Sequence, residues 1–149
     1  MAVLRIPPHS EEAEAAVLGA ILIDHEAMTT VSQLVHSDYF YSDANKDVYD
    51  AMLTLYDERK PIDLLTVTHI LKKKKIYDKI GGTVYLSSLA NSVPTSSNIE
   101  HYAQILKETH VRRSMISISA KLTDMAFAEE KNAGEVLDVA EQEIFKVSQ

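Results

Sequence analysis

With 149 residues, 46% of them apolar and 25% charged, the chain has the size and composition of one ordinary globular domain able to bury a core. Its four glycines fall well below the usual share of about 7%, which excludes Gly-rich phosphate loops and turn-dense β architectures, and the lack of cysteine excludes disulfides and thiolate metal sites. The net charge of −7 is spread over both halves, so the surface repels phosphates and strong nucleic-acid binding by this domain alone is not expected.

The first periodic segment follows Pro7-Pro8-His9-Ser10. Ser10 is placed to cap a helix whose first turn holds Glu11, Glu12 and Glu14 near its positive end, with Ala13, Val17 and Ile21 along one face. Ala15 to Ile23, the longest run without a polar side chain, is about half of a membrane span, and no charged-then-apolar leader precedes it. No membrane partner is expected, and the protein reads as cytoplasmic. A second helix is expected around Glu26 to Val35, ending near Ser37-Asp38. Tyr39-Phe40-Tyr41 leads to the next cap, Ser42, and from Asp43 to Tyr56 the residues Ala44, Val48, Ala51, Met52 and Leu55 form one helical stripe, stopped by Arg59-Lys60-Pro61.

Asp63 caps a helix from Leu64 to about Lys74, carrying Val67, Ile70 and Leu71 on one side. Lys72 to Lys75 with Lys79 is the one basic patch. It reads as a solvated helix end that complements the macrodipole, with a phosphate contact as the alternative. Gly81-Gly82 breaks the chain, and a short helix carrying Val84, Tyr85, Leu86 and Leu89 follows before Pro94 and the junction Thr95-Ser96-Ser97.

Ser97 and Glu100 then stand at capping-box spacing ahead of one long helix reaching Ala128. In it Val111, Met115, Ile118, Leu122 and Met125 alternate spacings of four and three, the seam of a helix that packs lengthwise on another. Asn132 and Glu135 form a second capping pair, and Leu137, Ala140, Ile144 and Val147 make a matching seam. The expected fold is all-α: a compact bundle of about six short helices over residues 1–97, then an antiparallel helical hairpin over 98–149. Burying the two seams offsets less than ordering both helices costs, so the hairpin needs further apolar contact. Val111, Met115, Ile118 and Leu122 are the expected self-association positions, with Ile116, off the main seam, as a second face.

Little in the chain supports catalysis. Asp43, Asp47 and Asp50 share a helical face that could hold a hard cation, but no histidine accompanies them, and they read instead as a solvated polar face opposite the Val48 and Met52 stripe. The six histidines never fall at i, i+3 or i, i+4, and no Gly-x-Ser-x-Gly elbow is present. No catalytic residue and no metal ligand is expected; a small metal-dependent hydrolase built on the Asp43 face is the weakest alternative.

The segment Arg5-Ile6-Pro7-Pro8 through Glu12-Ala13-Glu14 to Val17-Leu18-Gly19 resembles the opening of bacterial replicative DNA helicases of the DnaB family. Pro61-Ile62-Asp63 with Thr66-Val67-Thr68, Gly81-Gly82 with Tyr85-Leu86, and Pro94-Thr95 with Asn98 and Tyr102-Ala103 resemble that family in order and spacing, from about Arg5 to Ile116. There are departures. Ser96-Ser97 replace two alanines, Asn45 replaces a frequent histidine, and only part of a Leu-Arg-Arg pattern survives at Arg112-Arg113.

The resemblance implies a non-catalytic N-terminal collar domain of a hexameric helicase, pairing hairpins into dimers and a trimer of dimers. It implies docking of the C-terminal helicase-binding domain of primase, with a helicase loader as a further partner. ATP and magnesium would belong to a RecA-like motor domain absent from these residues, and no cofactor is expected here. Primase docking is expected on the outer face of the hairpin and the adjoining compact part, with Ile116 and Leu122 as apolar anchors and Tyr85 and Glu12 nearby. A free-standing helical adaptor or phage-type protein that binds helicase or primase is the alternative.

Overall fold

The structure, a computed structural model, describes residues 5–92 and 98–149. The stop at Pro94, the junction Thr95-Ser96-Ser97 and the Ser97 half of the capping pair therefore lie outside the described residues.

Short polar side chains start most of the helices. Ser10 Oγ accepts the Ala13 N–H at 3.1 Å and opens α1 (Glu11–Ile23). After α2 (Ala27–Leu34) and a 3-10 turn over Ser37–Tyr39, Ser42 Oγ accepts the Asn45 N–H at 3.3 Å and opens α3 (Asp43–Asp57). Asp63 and Thr66 exchange reciprocal bonds of 2.8 and 2.9 Å in a full capping box before α4 (Leu64–Lys73). No side chain caps α5 (Gly82–Asn91). Gly81 stands before it at φ +108°, where a Cβ would also lie 2.9 Å from Tyr85 Cβ. The long α6 runs Ile99–Ala128, and Asn132 Oδ1 accepts the Glu135 N–H at 2.9 Å to open α7 (Ala133–Ser148).

Two helices end alike and unusually. After α3, Arg59 and Lys60 donate to the Tyr56 and Leu55 carbonyls at 3.0 and 2.8 Å; after α4, Lys75 and Ile76 donate to Lys72 and Leu71, both at 3.0 Å. Both are Schellman closures, whose left-handed residue is commonly glycine. Here Arg59 (φ +58°) and Lys75 (φ +61°) occupy it, at a cost of about 1 kcal/mol each.

The chain divides into two compact units, His9–Glu108 and the combination of Met1–Pro8 with Thr109–Gln149. The division falls inside α6, later in the chain than the 97/98 boundary read from the cap signals, because Ile99, Ala103 and Leu106 are buried in the core of the first unit. In that unit α1 packs against α2, α3 and α5, while α4 packs against α3 and α5. Surrounded in this way, α1 is buried nearly all round: Ala16, Leu18, Gly19 and Ala20 join the expected Ala13, Val17 and Ile21. Its small residues let neighbouring helices approach, so the single apolar face expected from periodicity is too narrow.

The second unit has much less core. Lys121 Nζ on α6 meets Glu143 Oε1 on α7 at 3.1 Å, which places the two helices antiparallel. Ile118 is buried, Leu122 and Met125 are half-buried, and α7 contributes no fully buried side chain. The inner positions of α7 are Val136, Val139, Ala140, Glu143 and Val147, all half-buried, so the seam expected at Leu137 and Ile144 is corrected by one residue. Leu137 is 63% exposed. Apolar residues adjoin along α7 (Val136-Leu137, Val139-Ala140), so spacing alone admits either register; the pairing of Glu143 with Lys121 holds the first of them inward. Arg113 Nη1 donates to the Pro8 carbonyl at 2.8 Å and ties the residues before α1 to α6. Among the described residues no helix is long and apolar enough to cross a membrane.

Candidate docking surfaces

The hairpin separates its apolar residues into an inner and an outer set. Ile118 faces inward, with Val111 two turns before it and Leu122 one turn after it both half-buried, and Met115 at the edge, 44% exposed. Ile116 points away from that seam and is 54% exposed. Eleven residues further on, at nearly the same helical angle, stands Phe127, 84% exposed. On α7, Leu137 and Ile144 are two turns apart on one exposed face. Apolar side chains left in water at helical spacing are what a helix-packing partner covers.

Of the four expected primase positions, Ile116 is an exposed anchor, while Leu122 is half-buried along the seam. Tyr85 and Glu12 lie in the other unit, on α5 and α1. Glu12 is exposed in the first turn of α1. Tyr85 packs against the compact core. Burial, and then the charge of Glu14, push its phenol above the ordinary value. Of the self-association positions, Ile118 is covered within its own chain and Met115 is open.

Electrostatic ties mark each unit. Glu143 accepts from Lys121 at 3.1 Å and lies 3.7 Å from Lys146, and the bond and charge of Lys121 hold its carboxyl below the usual range. In the compact unit Glu14, only 1% exposed, spans from α1 to the start of α3. Its carboxylate accepts the Tyr41 N–H at 3.0 Å, the Ser42 N–H at 3.2 Å and the Asn45 amide at 3.0 Å. The positive end of α3 and three donors offset the burial of this charge. Asn45 can meet a carboxylate only with its NH2 side, which leaves Asn45 Oδ1 buried without a partner.

Sequence reasoning read Glu14 as a first-turn charge near the positive end of its helix and did not single out Phe127, Leu137 or Ile144 as exposed anchors. The cue for Glu14 was its place between Ala13 and the apolar run Ala15, Ala16 and Val17. On α3, Asp50 accepts from Ser37 Oγ at 2.5 Å. Among the described residues no three His, Asp or Glu side chains converge on a point that could hold a metal ion.

The family model described as DnaB-like helicase N terminal domain matches residues 6–108. The chain is 39% identical over 145 residues to the replicative DNA helicase DnaC of Bacillus subtilis, and 40% identical over 145 residues to the replicative DNA helicase DnaB of Geobacillus stearothermophilus. Each comparison covers 97% of this chain and 32% of the relative, so the chain spans about a third of the length of these proteins. Among solved structures, the N-terminal domain of DnaB helicase from Mycobacterium tuberculosis matches with a TM-score of 0.90 at 34% identity, covering 95% of this chain and 99% of that one. A DnaB-like replicative helicase, described with its interactions with primase, shares the fold with a TM-score of 0.76 at 22% identity, over 93% of this chain and 31% of that one.

Proposed function

Since the chain belongs to the DnaB-like helicase N-terminal domain family, we propose that it is the non-catalytic collar domain of a hexameric replicative DNA helicase. Its work is contact: pairing with other copies through the hairpin and docking primase, with a helicase loader as a further partner. ATP hydrolysis and its magnesium belong to a motor domain elsewhere in the helicase, and this domain needs no cofactor of its own. It works in the cytoplasm, where chromosome replication takes place in bacteria.

The observation that carries this reading is the outer set of the hairpin, Ile116 and Phe127 on α6 with Leu137 and Ile144 on α7. A hairpin in which α7 has no buried side chain gains stability by laying that apolar surface against a second helical surface. The solved helicase described with its interactions with primase supports the choice of partner.

The test is calorimetric titration of the C-terminal helicase-binding domain of primase onto the chain and onto Ile116→Ala. Truncating an exposed anchor should weaken binding by about 1 to 3 kcal/mol and leave the melting temperature unchanged. Unaltered affinity with a lowered melting temperature would instead assign Ile116 to packing within the chain and remove the docking face. In light scattering, Leu137→Lys combined with Ile144→Lys should shift the chain toward monomer; a dimer that survives the change rules out this face of α7.

A further inference from the structure

The end of α3 carries two residues that local rules disfavour. Asp57, the last residue of the helix, sets a carboxylate at the negative end of its macrodipole, and no basic side chain stands in that turn to offset it. Two positions on, Arg59 closes the helix at φ +58°, where glycine would do so without strain. Both side chains are exposed, so neither serves the core. Unfavourable local choices that converge on one place point to a ligand.

These two converge on a cleft of about 470 Å³ between the corner joining α1 to α2 and the end of α3, where Glu26, Tyr56, Lys60 and Ile62 also line the wall. Glu26 stands at the positive end of α2, which suits a carboxylate, but its side chain caps nothing. Among the described residues neither Glu26, Asp57 nor Arg59 has an oppositely charged group within ion-pair distance, although all three line the same cleft. Lys60, by contrast, is taken by Glu58 at 2.8 Å. Buried Ile62 and the ring of Tyr56 supply apolar surface.

The charges select the ligand. Two uncommitted carboxylates repel phosphates and simple acids, and an uncommitted guanidinium repels simple amines and polyamines. A small molecule with two cations and one carboxylate on an aliphatic body matches all three, which is the chemistry of an α-amino acid with a cationic side chain. Tyr56 adds a ring on which a guanidinium can stack, favouring arginine over lysine. The volume lies within the range of small-molecule sites.

We propose that this cleft binds free arginine, its carboxylate on Arg59, its two cationic groups on Glu26 and Asp57, and its aliphatic stem against Tyr56 and Ile62. The site lies wholly in the His9–Glu108 unit and is independent of the docking role of the hairpin.

The test is NMR titration of the isotope-labelled 149-residue chain with L-arginine at fixed ionic strength. Backbone amides of residues 25–29 and 56–62 should shift saturably, with a dissociation constant of about 1 mM, the affinity expected of so small a ligand. Agmatine, which lacks the carboxylate, and N-acetylarginine, which lacks the α-ammonium charge, should each bind about fivefold more weakly. Arg59→Gly removes the partner of the carboxylate and relieves the backbone. Arginine affinity should fall about fivefold in this variant while agmatine affinity does not fall, with the melting temperature unchanged or raised. No saturable shift by about 20 mM arginine, or parental affinity in Arg59→Gly, would overturn the proposal. Agmatine binding as tightly as arginine would overturn it in favour of a simple cation site, and N-acetylarginine doing so in favour of the last residue of a peptide chain.

Discussion

Tyr49 and Glu14 show how single side chains join helices in the compact unit. Tyr49 is fully buried on α3, and its hydroxyl donates to the Val35 carbonyl, the cap residue of α2, at 2.7 Å. Burial, with the nearby Asp50 charge, pushes the phenol well above its ordinary range. An acid group whose pKa is raised on folding supplies stability that is complete below the unfolded value and lost as pH climbs above it, because only the unfolded chain then releases the proton. Tyr49→Phe should therefore cost about 1 to 2 kcal/mol near neutrality, where it orphans the Val35 carbonyl. The gap to the parent should narrow toward about pH 11, above the ordinary phenol value of about 10. Urea midpoints at the two pH values test this, and an unchanged gap would mean that the phenol is not held protonated. Periodicity marked Val48 and Met52 as core positions of α3 but passed over Tyr49 between them, since a phenol is buried only where the fold provides an acceptor. Glu14 was less legible still: its three donors lie 27 to 31 residues away in sequence.

The helices themselves were largely legible, because what starts them is local. Ser10, Ser42, Asp63 and Asn132 each act on a backbone N–H three residues ahead, and all four cap as the sequence indicates. Gly81-Gly82 was legible as a break, and the structure separates the two glycines. At Gly81 a Cβ meets Tyr85 Cβ at 2.9 Å in a conformation that L residues avoid; at Gly82, φ +61°, the nearest atom is 3.6 Å away on the Tyr77 ring. Gly81→Ala should therefore destabilise by about 2 to 3 kcal/mol, and Gly82→Ala by about 1 kcal/mol, the left-handed penalty alone. Thermal melts of the pair check the order, and equal losses would show that the contact with Tyr85 relaxes freely. The register of α7 was not legible, because adjacent apolar residues satisfy either choice and the deciding Lys121–Glu143 pair joins residues 22 positions apart.

At the scale of the whole molecule the two units differ in how much apolar surface each keeps from water. The His9–Glu108 unit holds a continuous core built around Leu18, Ile21, Met28, Tyr49, Met52 and Leu71. In the other unit, α7 is half-covered at best and Leu137, Ile144 and Phe145 remain exposed. Local opening follows local burial, so α7 and the part of α6 beyond Thr109 should exchange amide hydrogens faster than α1, α3 and α4 in dilute solution. Their protection should rise with protein concentration as the exposed face is covered by a second copy. Hydrogen exchange read by mass spectrometry at two concentrations measures both effects. Uniform protection at low concentration would show that the hairpin is stable without a partner.

The sequence by itself determined the all-α class, the order and starts of the helices, and the family, because capping, helical spacing and short motifs are relations between residues a few positions apart. The tertiary structure alone decided that α1 is enclosed on nearly every side, that Glu14 is buried against the start of α3, and that α6 passes from one unit into the other at Glu108. It also decided which face of α7 turns inward and that Lys73 and Lys74 line one cleft with Lys60. Each of these depends on which distant elements stand beside a residue, and one-dimensional spacing carries no record of that.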